Sequence, residues 1–212
     1  MKRWKPLKGE KPVNKVITIG REFGSGGREF GRRLAETLQI EYYDKEIITE
    51  IAKHTSLSEE YIQQVVECKP HPLYPITIGQ SMMFMENYAY QQMQSVYQAQ
   101  CDILHALAEK SDCVIVGRCA DYILRDCQPY RVFVHAELPS RVERCMTRLR
   151  QDEKYTEKEM KQKILAIDKN RAKYYEYYTG GKWGDKKNYD FCVNTTNLDL
   201  KTFVPLFANL FR

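Results

Sequence analysis

Residues 16–38 read VITIGREFGSGGREFGRRLAETL. The first four are apolar or β-branched and stop at Gly20, the pattern of a short buried strand. Phe30, Leu34 and Leu38 then recur at i, i+4 and i+8, the spacing of one helix face. Between strand and helix lie Gly24, Ser25, Gly26 and Gly27. Glycines let successive backbone N–H groups turn into one concavity, and the helix N-terminus behind them adds a positive partial charge. Together these make an anion nest suited to the β-phosphate of a nucleotide. A glycine turn that only packs a strand on a helix would share the spacing. The strict phosphate loop, Gly-x-x-x-x-Gly-Lys-Ser/Thr, is not matched. Gly27 stands where the lysine would be, and Glu29 lies near the place of the magnesium-holding hydroxyl. Arg21 and Arg28 are the cations left to supply the missing charge, each as a planar fork rather than a point.

Outward from this loop the chain alternates strands and helices. Strands are expected at Val16–Ile19, Glu41–Tyr43, Val114–Val116, Arg131–His135 and Tyr189–Val193. Helices are expected at Phe30–Leu38, Glu46–Lys53, Tyr61–Glu67 behind an N-cap Ser58, Gln80–Lys110, Pro139–Gln151 and Glu157–Tyr175. Thr156 and Glu159 form a capping box for the last of these, and a closing helix spans Leu200–Phe211, kinked or started near Pro205. Prolines 70, 72 and 75 exclude regular helix there. Short all-apolar strands between helices predict an α/β fold of three layers, α/β/α, around a central parallel sheet. Ligands in such folds sit beyond the carboxyl ends of the strands.

Composition bounds the rest. A 43% hydrophobic and 29% charged content over 212 residues is that of an ordinary globular domain, so disorder and collagen-like architecture are excluded. No apolar run reaches the ~20 residues of a membrane span. The basic start lacks the apolar segment of a secretory signal. Seven scattered cysteines without a CxxC pair suit reduced thiols in a cytoplasmic protein. The four histidines form no ligand spacing, so metal ligation by histidine is not expected. Net charge is +5, and residues 141–175 carry eleven Lys/Arg against six Asp/Glu. Such an excess attracts nucleotide phosphates when it lines a pocket, and only solubilises a helix when it does not. Nucleic-acid binding by the basic residues 1–15 rests on charge alone and is not expected.

Three more groups follow strands or lie on basic helices. Gly117-Arg118-Cys119-Ala-Asp121 follows one strand, and Arg141 and Arg144 sit one turn apart after another. Asp168 and Arg171 share a helix face. Each pair alone reads as a surface salt bridge; placed together on one sheet edge they suit a phosphoryl group, whose transfer requires converging cations. Arg118, Arg141 and Arg171 are therefore expected to meet in one cleft. Trp183, between glycines, would stack on a base or pin a loop. The stripe Met82, Met83, Met85, Met93 with Tyr88, Tyr90 and Tyr97 would line an interface or simply fill a core.

The stretches ITIGREFGSGGREFGRRLAE, EYYDKEII, VIVGRCADYIL, RVFVHAELPSRVERC and DKNRAKYYEYYTGGKWGDKKNYDFCVNTT together resemble the cytidylate kinase-like family of P-loop proteins, relatives of the nucleoside monophosphate kinases. The resemblance runs over nearly all of residues 15–212. It leaves 1–14 as a basic extension and implies a helical acceptor-binding insertion at 55–110 and a lid at 145–165. It implies a nucleotide kinase that uses ATP and Mg2+, with CMP or dCMP as acceptor. A nucleotide-binding sensor that kept the fold without efficient chemistry is the alternative. Gly24, Ser25, Gly26, Gly27, Arg28, Glu29 and Arg21 would bind ATP phosphates, and Glu29 would touch the metal. Asp44, Arg118, Asp168 and Arg171 would hold the acceptor, and Arg28, Arg141 and Arg144 would serve catalysis. Departures are Cys119 for an aspartate, Asp44-Lys45-Glu46 where those enzymes carry Asp-Ser-Gly, and the absent lysine, whose part Arg28 is expected to take.

Overall fold

The structure, a computed structural model, describes residues 14–67, 80–149 and 153–212. Five strands form one parallel sheet: β1 (Val16–Arg21), β2 (Glu41–Tyr43), β3 (Cys113–Val116), β4 (Tyr130–His135) and β5 (Phe191–Asn194), in the order β2-β3-β1-β4-β5. Along β1 the side chains alternate between two cores, as the two-residue pleat requires. Ile17 and Ile19, with Val114 and Val116 of β3, face α1 (Gly27–Leu38) and α8 (Leu200–Ala208). Val16, Cys113 and Ile115 face the opposite layer, built from α2 (Glu46–Thr55), α3 (Glu59–Glu67), α4 (Gln80–Lys110), α5 (Ala120–Ile123) and the C-terminal part of α7 (Glu157–Thr179). Burial on both faces is why the central strands read as continuous apolar runs. Between α1 and α8, Phe30 lies fully buried against Phe203 and Phe207, ring centroids 6.4 and 5.3 Å away.

Element types follow the sequence pattern; several ends do not. α1 begins at Gly27, three residues before its apolar stripe, because Gly26 at φ +81° caps it directly from the glycine loop. α6 spans Leu138–Met146 rather than 139–151. It unwinds because Arg148 N–H bonds Cys145 O (3.2 Å) and Leu149 N–H bonds Met146 O (3.4 Å), three-residue contacts that tighten the last turn. β5 sits one to two residues later than expected. α8 starts at Leu200 as expected, where the Asp199 carboxylate accepts from Lys201 and Thr202 N–H, carries Pro205 inside it, and ends at Ala208 rather than Phe211, passing into the 3-10 turn Asn209–Phe211. The Thr156–Glu159 capping box is present, and Tyr61 N–H bonds Ser58 Oγ. The short helix α5 and the 3-10 turn Arg125–Cys127 have no signal in the sequence pattern. The proline-rich segment 70–75, the N-terminal residues 1–13 and the Met82, Met83, Met85, Tyr88 and Tyr90 side chains lie outside what is described. Tyr97, the described end of that stripe, stacks on Tyr178 at 3.9 Å and packs on the core.

No helix among the described residues is long and apolar enough to cross a membrane.

Candidate functional site

β1 lies between β3 and β4, so the chain leaves the sheet on opposite sides of its carboxyl end, and a crevice opens there. The glycine loop fills its mouth. Gly24 (φ +78°) and Gly26 (φ +81°) take left-handed conformations, and a Cβ on Gly24 would lie 2.9 Å from Arg141 O and Cys145 Sγ. The first turn of α1 leaves N–H groups of Gly27, Arg28 and Glu29 without intrahelical acceptors. Ser25 is fully buried; its Oγ donates to Glu22 O (2.9 Å), and its carbonyl accepts from Thr195 Oγ1 (2.6 Å). Ser25 therefore shapes the loop from behind while Gly24, Gly26, Gly27, Arg28 and Glu29 line the cleft.

That cleft holds ≈330 Å³ and is lined by the cations Arg21, Arg28, Arg144, Arg148, Lys163 and Arg171 against Glu22, Glu29 and Glu153. Arg144, one-turn partner of Arg141 on α6, donates to Gly24 O (2.8 Å) and Thr195 O (3.2 Å), tying loop to β5. Burial, together with nearby Arg148, weakens its hold on the proton. Glu29 is held by Arg33 Nε (2.9 Å) and Arg148 Nη2. Burial acts to raise its pKa, but the hydrogen bonds from Arg148 and Arg33 outweigh this and the carboxylate lies below its ordinary range. Among the described residues no three His, Cys, Asp or Glu side chains cluster as a protein-only metal cage. Magnesium bound through phosphates needs only one or two carboxylates, which Glu29 and Glu22 offer on this wall.

Past Arg21 the cleft meets a smaller cavity of ≈40 Å³, lined by Arg118, Asp121, Arg171, Tyr174, Tyr175 and Trp183 among others. Gly117, Arg118 and Cys119 have φ of +78°, +62° and +52°. Two successive non-glycine residues in the left-handed region store strain of about 1–2 kcal/mol each. The buried Gln100 of α4 stabilises the turn, donating from Nε2 to Arg118 O (3.0 Å); no feature of the sequence singles it out. Cys119 is buried, and burial pushes its thiol well up rather than down toward thiolate. Trp183 meets Phe133 edge-on at 5.4 Å, the geometry of a loop pin, while also facing this cavity. Asp44, at the end of β2, pairs with Arg28 Nε at 2.8 Å and Arg21 Nη2 at 3.6 Å.

One sequence expectation needs correction: Arg118, Arg141 and Arg171 do not all meet in one cleft. Arg141 does not line the cleft. It is buried behind the loop, donating to Phe23 O and Asp168 and lying 3.4 Å from Glu22. Asp168 turns to the same place: its Oδ1 accepts from Phe23 N–H (2.7 Å). Of the three arginines expected to converge, Arg118 and Arg171 share a cavity and Arg141 braces the loop from outside it. Arg148 and Lys163, by contrast, reach the cleft from a basic stretch in which no single residue stood out.

Asp121 supplies a test by pH. Burial raises its pKa, opposed by the hydrogen bond from Tyr175 Oη (2.7 Å). A raised folded-state value means the fold binds this proton more tightly than the unfolded chain. Its stabilising contribution is complete below the ordinary carboxylate value of about 3.9 and is lost as pH rises through the raised value. Asp121→Asn, which keeps an acceptor for Tyr175, should remove that decline. Denaturant midpoints from pH 4 to 8 would show a shallower fall in the variant; parallel curves would mean Asp121 titrates normally.

Comparison with known proteins agrees with this architecture. A search of curated proteins finds no match. Among solved structures, an uncharacterized protein from Eubacterium ventriosum superposes with TM-score 0.67 at 28% identity, covering 92% of this chain and 97% of its own. Shikimate kinase from Bacteroides thetaiotaomicron gives TM-score 0.56 at 14% identity, covering 93% and 98%. Shikimate kinase from Acinetobacter baumannii, solved with shikimate, gives 0.50 at 14%, covering 94% and 93%. At such identities the kinases share the three-layer P-loop fold and nothing finer. The family profile is more specific: it matches residues 16–197, the whole span from β1 past β5, and by that match the chain belongs to the cytidylate kinase-like family.

Proposed function

We propose that this protein transfers the γ-phosphoryl group of ATP to a nucleoside monophosphate, with CMP and dCMP the first acceptors to test. The observation that carries the reading is the glycine-loop cleft, whose six cationic side chains outnumber its three carboxylates, beside a second cavity that holds Arg118 and Arg171. Phosphoryl transfer asks little covalent chemistry of a protein. It asks for an in-line arrangement and for cations around a transition state whose charge spreads over three oxygens.

In this reading the loop N–H groups of Gly24, Gly26, Gly27, Arg28 and Glu29 cradle the donor phosphates, and Arg144 and Arg148 approach from the α6 side. Residues 145–149 and 153–165, the described parts of the expected lid, would close over them. Arg171 and Arg118 receive the acceptor phosphate, with Asp44 orienting Arg28 and Arg21 between the two. Magnesium would neutralise the bridging phosphate oxygens when bound. Glu29 and Glu22 are the carboxylates that would hold it, Glu29 at the expense of its pairing with Arg148.

The test is ADP release with ATP and Mg2+ across the common nucleoside monophosphates. CMP or dCMP should exceed the others by at least about tenfold, roughly 1.4 kcal/mol of transition-state preference. ATP binding without turnover on any acceptor would favour a nucleotide sensor. One observation favours a second reading, an alcohol acceptor. Asp44 Oδ1 is buried with no hydrogen-bond partner among the described residues, only a loose contact with Arg21. A hydroxyl nucleophile needs a base to take its proton, whereas a phosphate does not. Turnover on polyols or hydroxy acids, absent from every nucleotide, would decide for it.

A further inference from the structure

In a strict phosphate loop a glycine opens the motif and a lysine follows its last glycine. Here Arg21 stands at the opening position and Gly27 at the lysine's. The structure makes these two replacements one event. The Arg21 side chain runs from the end of β1 across Gly27 and over Gly117. A Cβ on Gly27 would collide with Arg21 Cβ and lie 3.0 Å from its Cγ. On Gly117 it would collide with Arg21 Nη1 and lie 2.8 Å from Cζ. Gly27 is helical, so its backbone does not demand glycine; the passing arginine does. Any side chain rooted at position 27 would start in space that Arg21 fills.

The far end of that side chain is equally constrained. Arg21 is 8% exposed and borders both the glycine-loop cleft and the Arg118 cavity, the boundary a migrating phosphoryl group must cross. Burial and the surrounding Arg171, Arg118 and Arg28 lower its pKa well below an ordinary guanidinium's, with Asp44 opposing. Cations held together in a partly buried crevice repel one another until a polyanion enters.

The geometry points to an exchange of the cation's root. Arg21, reaching from the strand, makes the phosphate contact that a helix-borne lysine makes in strict loops, and Gly27 is glycine so that it can pass. The exchange rests on the phosphoryl-transfer reading for its catalytic meaning. It takes over the role expected of Arg28, whose Nε is committed to Asp44 at 2.8 Å and whose side chain is 47% exposed.

Three variants test it: Arg21→Gly, Gly27→Lys, and the two combined. Calorimetric binding of inorganic tripolyphosphate needs no acceptor and no turnover. Arg21→Gly should weaken it by about a hundredfold, the loss of charge-assisted bonds to a buried guanidinium. Gly27→Lys alone should weaken it too, because Arg21 blocks the new side chain. The double variant should recover at least about tenfold over Arg21→Gly. Wild-type affinity in folded Arg21→Gly, a double variant no better than that single one, or no tripolyphosphate binding by the wild type would each overturn the exchange. Should Arg21→Gly not fold, Arg21→Gln takes its place: it keeps the bulk and loses the charge, and unchanged binding there overturns the proposal equally. ADP release by the wild type is scored separately. Its absence alongside tripolyphosphate binding would sink the kinase reading and leave the exchange standing.

Discussion

Gly26→Val is expected to abolish ATP binding, lowering affinity by at least about a hundredfold, or 2.7 kcal/mol. Gly26 holds φ at +81°, where a β-branched residue is a genuine outlier, and a Cβ there would lie 3.1 Å from Leu200 Cδ1. Valine must either force the loop out of its left-handed turn or push α1 away from α8. Either change rotates the N–H groups of Gly27 and Arg28 out of the nest. The backbone strain of about 1–3 kcal/mol is smaller than the total stability of about 5–15 kcal/mol, so the protein should still fold with a lowered melting temperature. Gly180→Ala is the matched control. Gly180 also has positive φ, +66°, but a Cβ there meets nothing within 4 Å. That variant should show the strain in its melting temperature and no loss of ATP affinity. Equal affinity for ATP in the wild type and Gly26→Val would remove the loop from the binding site.

The contrast between these glycines also shows how far the sequence carries. Alternation of apolar strands with helices was enough for the layers and the parallel sheet, because burial on both faces leaves a continuous apolar signature in β1, β3 and β4. The glycine loop was legible because two glycines as close as Gly24 and Gly26, ahead of a helical stripe, call for a turn of high curvature with left-handed residues. Side-chain direction was not legible. Arg28 and Arg21 look equivalent as letters, yet one is drawn to Asp44, which is distant in sequence, and the other is buried by its position on a central strand. Arg141 and Arg144 are a turn apart on α6, and that turn is enough to place one behind the loop and the other on the cleft. Gln100 illustrates the same limit: its value lies in the Arg118 carbonyl it meets, and no local pattern marks a contact between α4 and the turn after β3.

The brace behind the loop gives the largest expected loss of stability. Asp168 accepts from Phe23 N–H and from Arg141, and Arg141 is 5% exposed with its Nη1 also on Phe23 O and near Glu22. Asp168→Ala leaves the buried guanidinium with the Phe23 carbonyl and the looser Glu22 contact at 3.4 Å, and strands the Phe23 N–H. Breaking one side of a buried ion pair typically costs about 3–5 kcal/mol, and Asp168, at 13% side-chain exposure, belongs at the lower end. A loss of about 3 kcal/mol in a chain of this size lowers the melting temperature by about 6–12 °C. The family resemblance implies a different outcome, in which Asp168 grips the acceptor: KM for the acceptor would rise while melting stayed put. The geometry predicts the reverse order, with stability and ATP affinity falling first because residues 22–24 lose their backing. Replacing both partners with apolar residues separates the effects further. Asp168→Leu combined with Arg141→Met removes the buried guanidinium, leaves the 28% exposed Glu22 without that cation, and should regain part of the stability. ATP affinity should stay low, since no group then holds Phe23 N–H and the loop's approach to the phosphates remains unfixed. A single variant Asp168→Ala with normal melting and normal ATP affinity but a raised acceptor KM would show that the acceptor, not the loop, is what Asp168 serves.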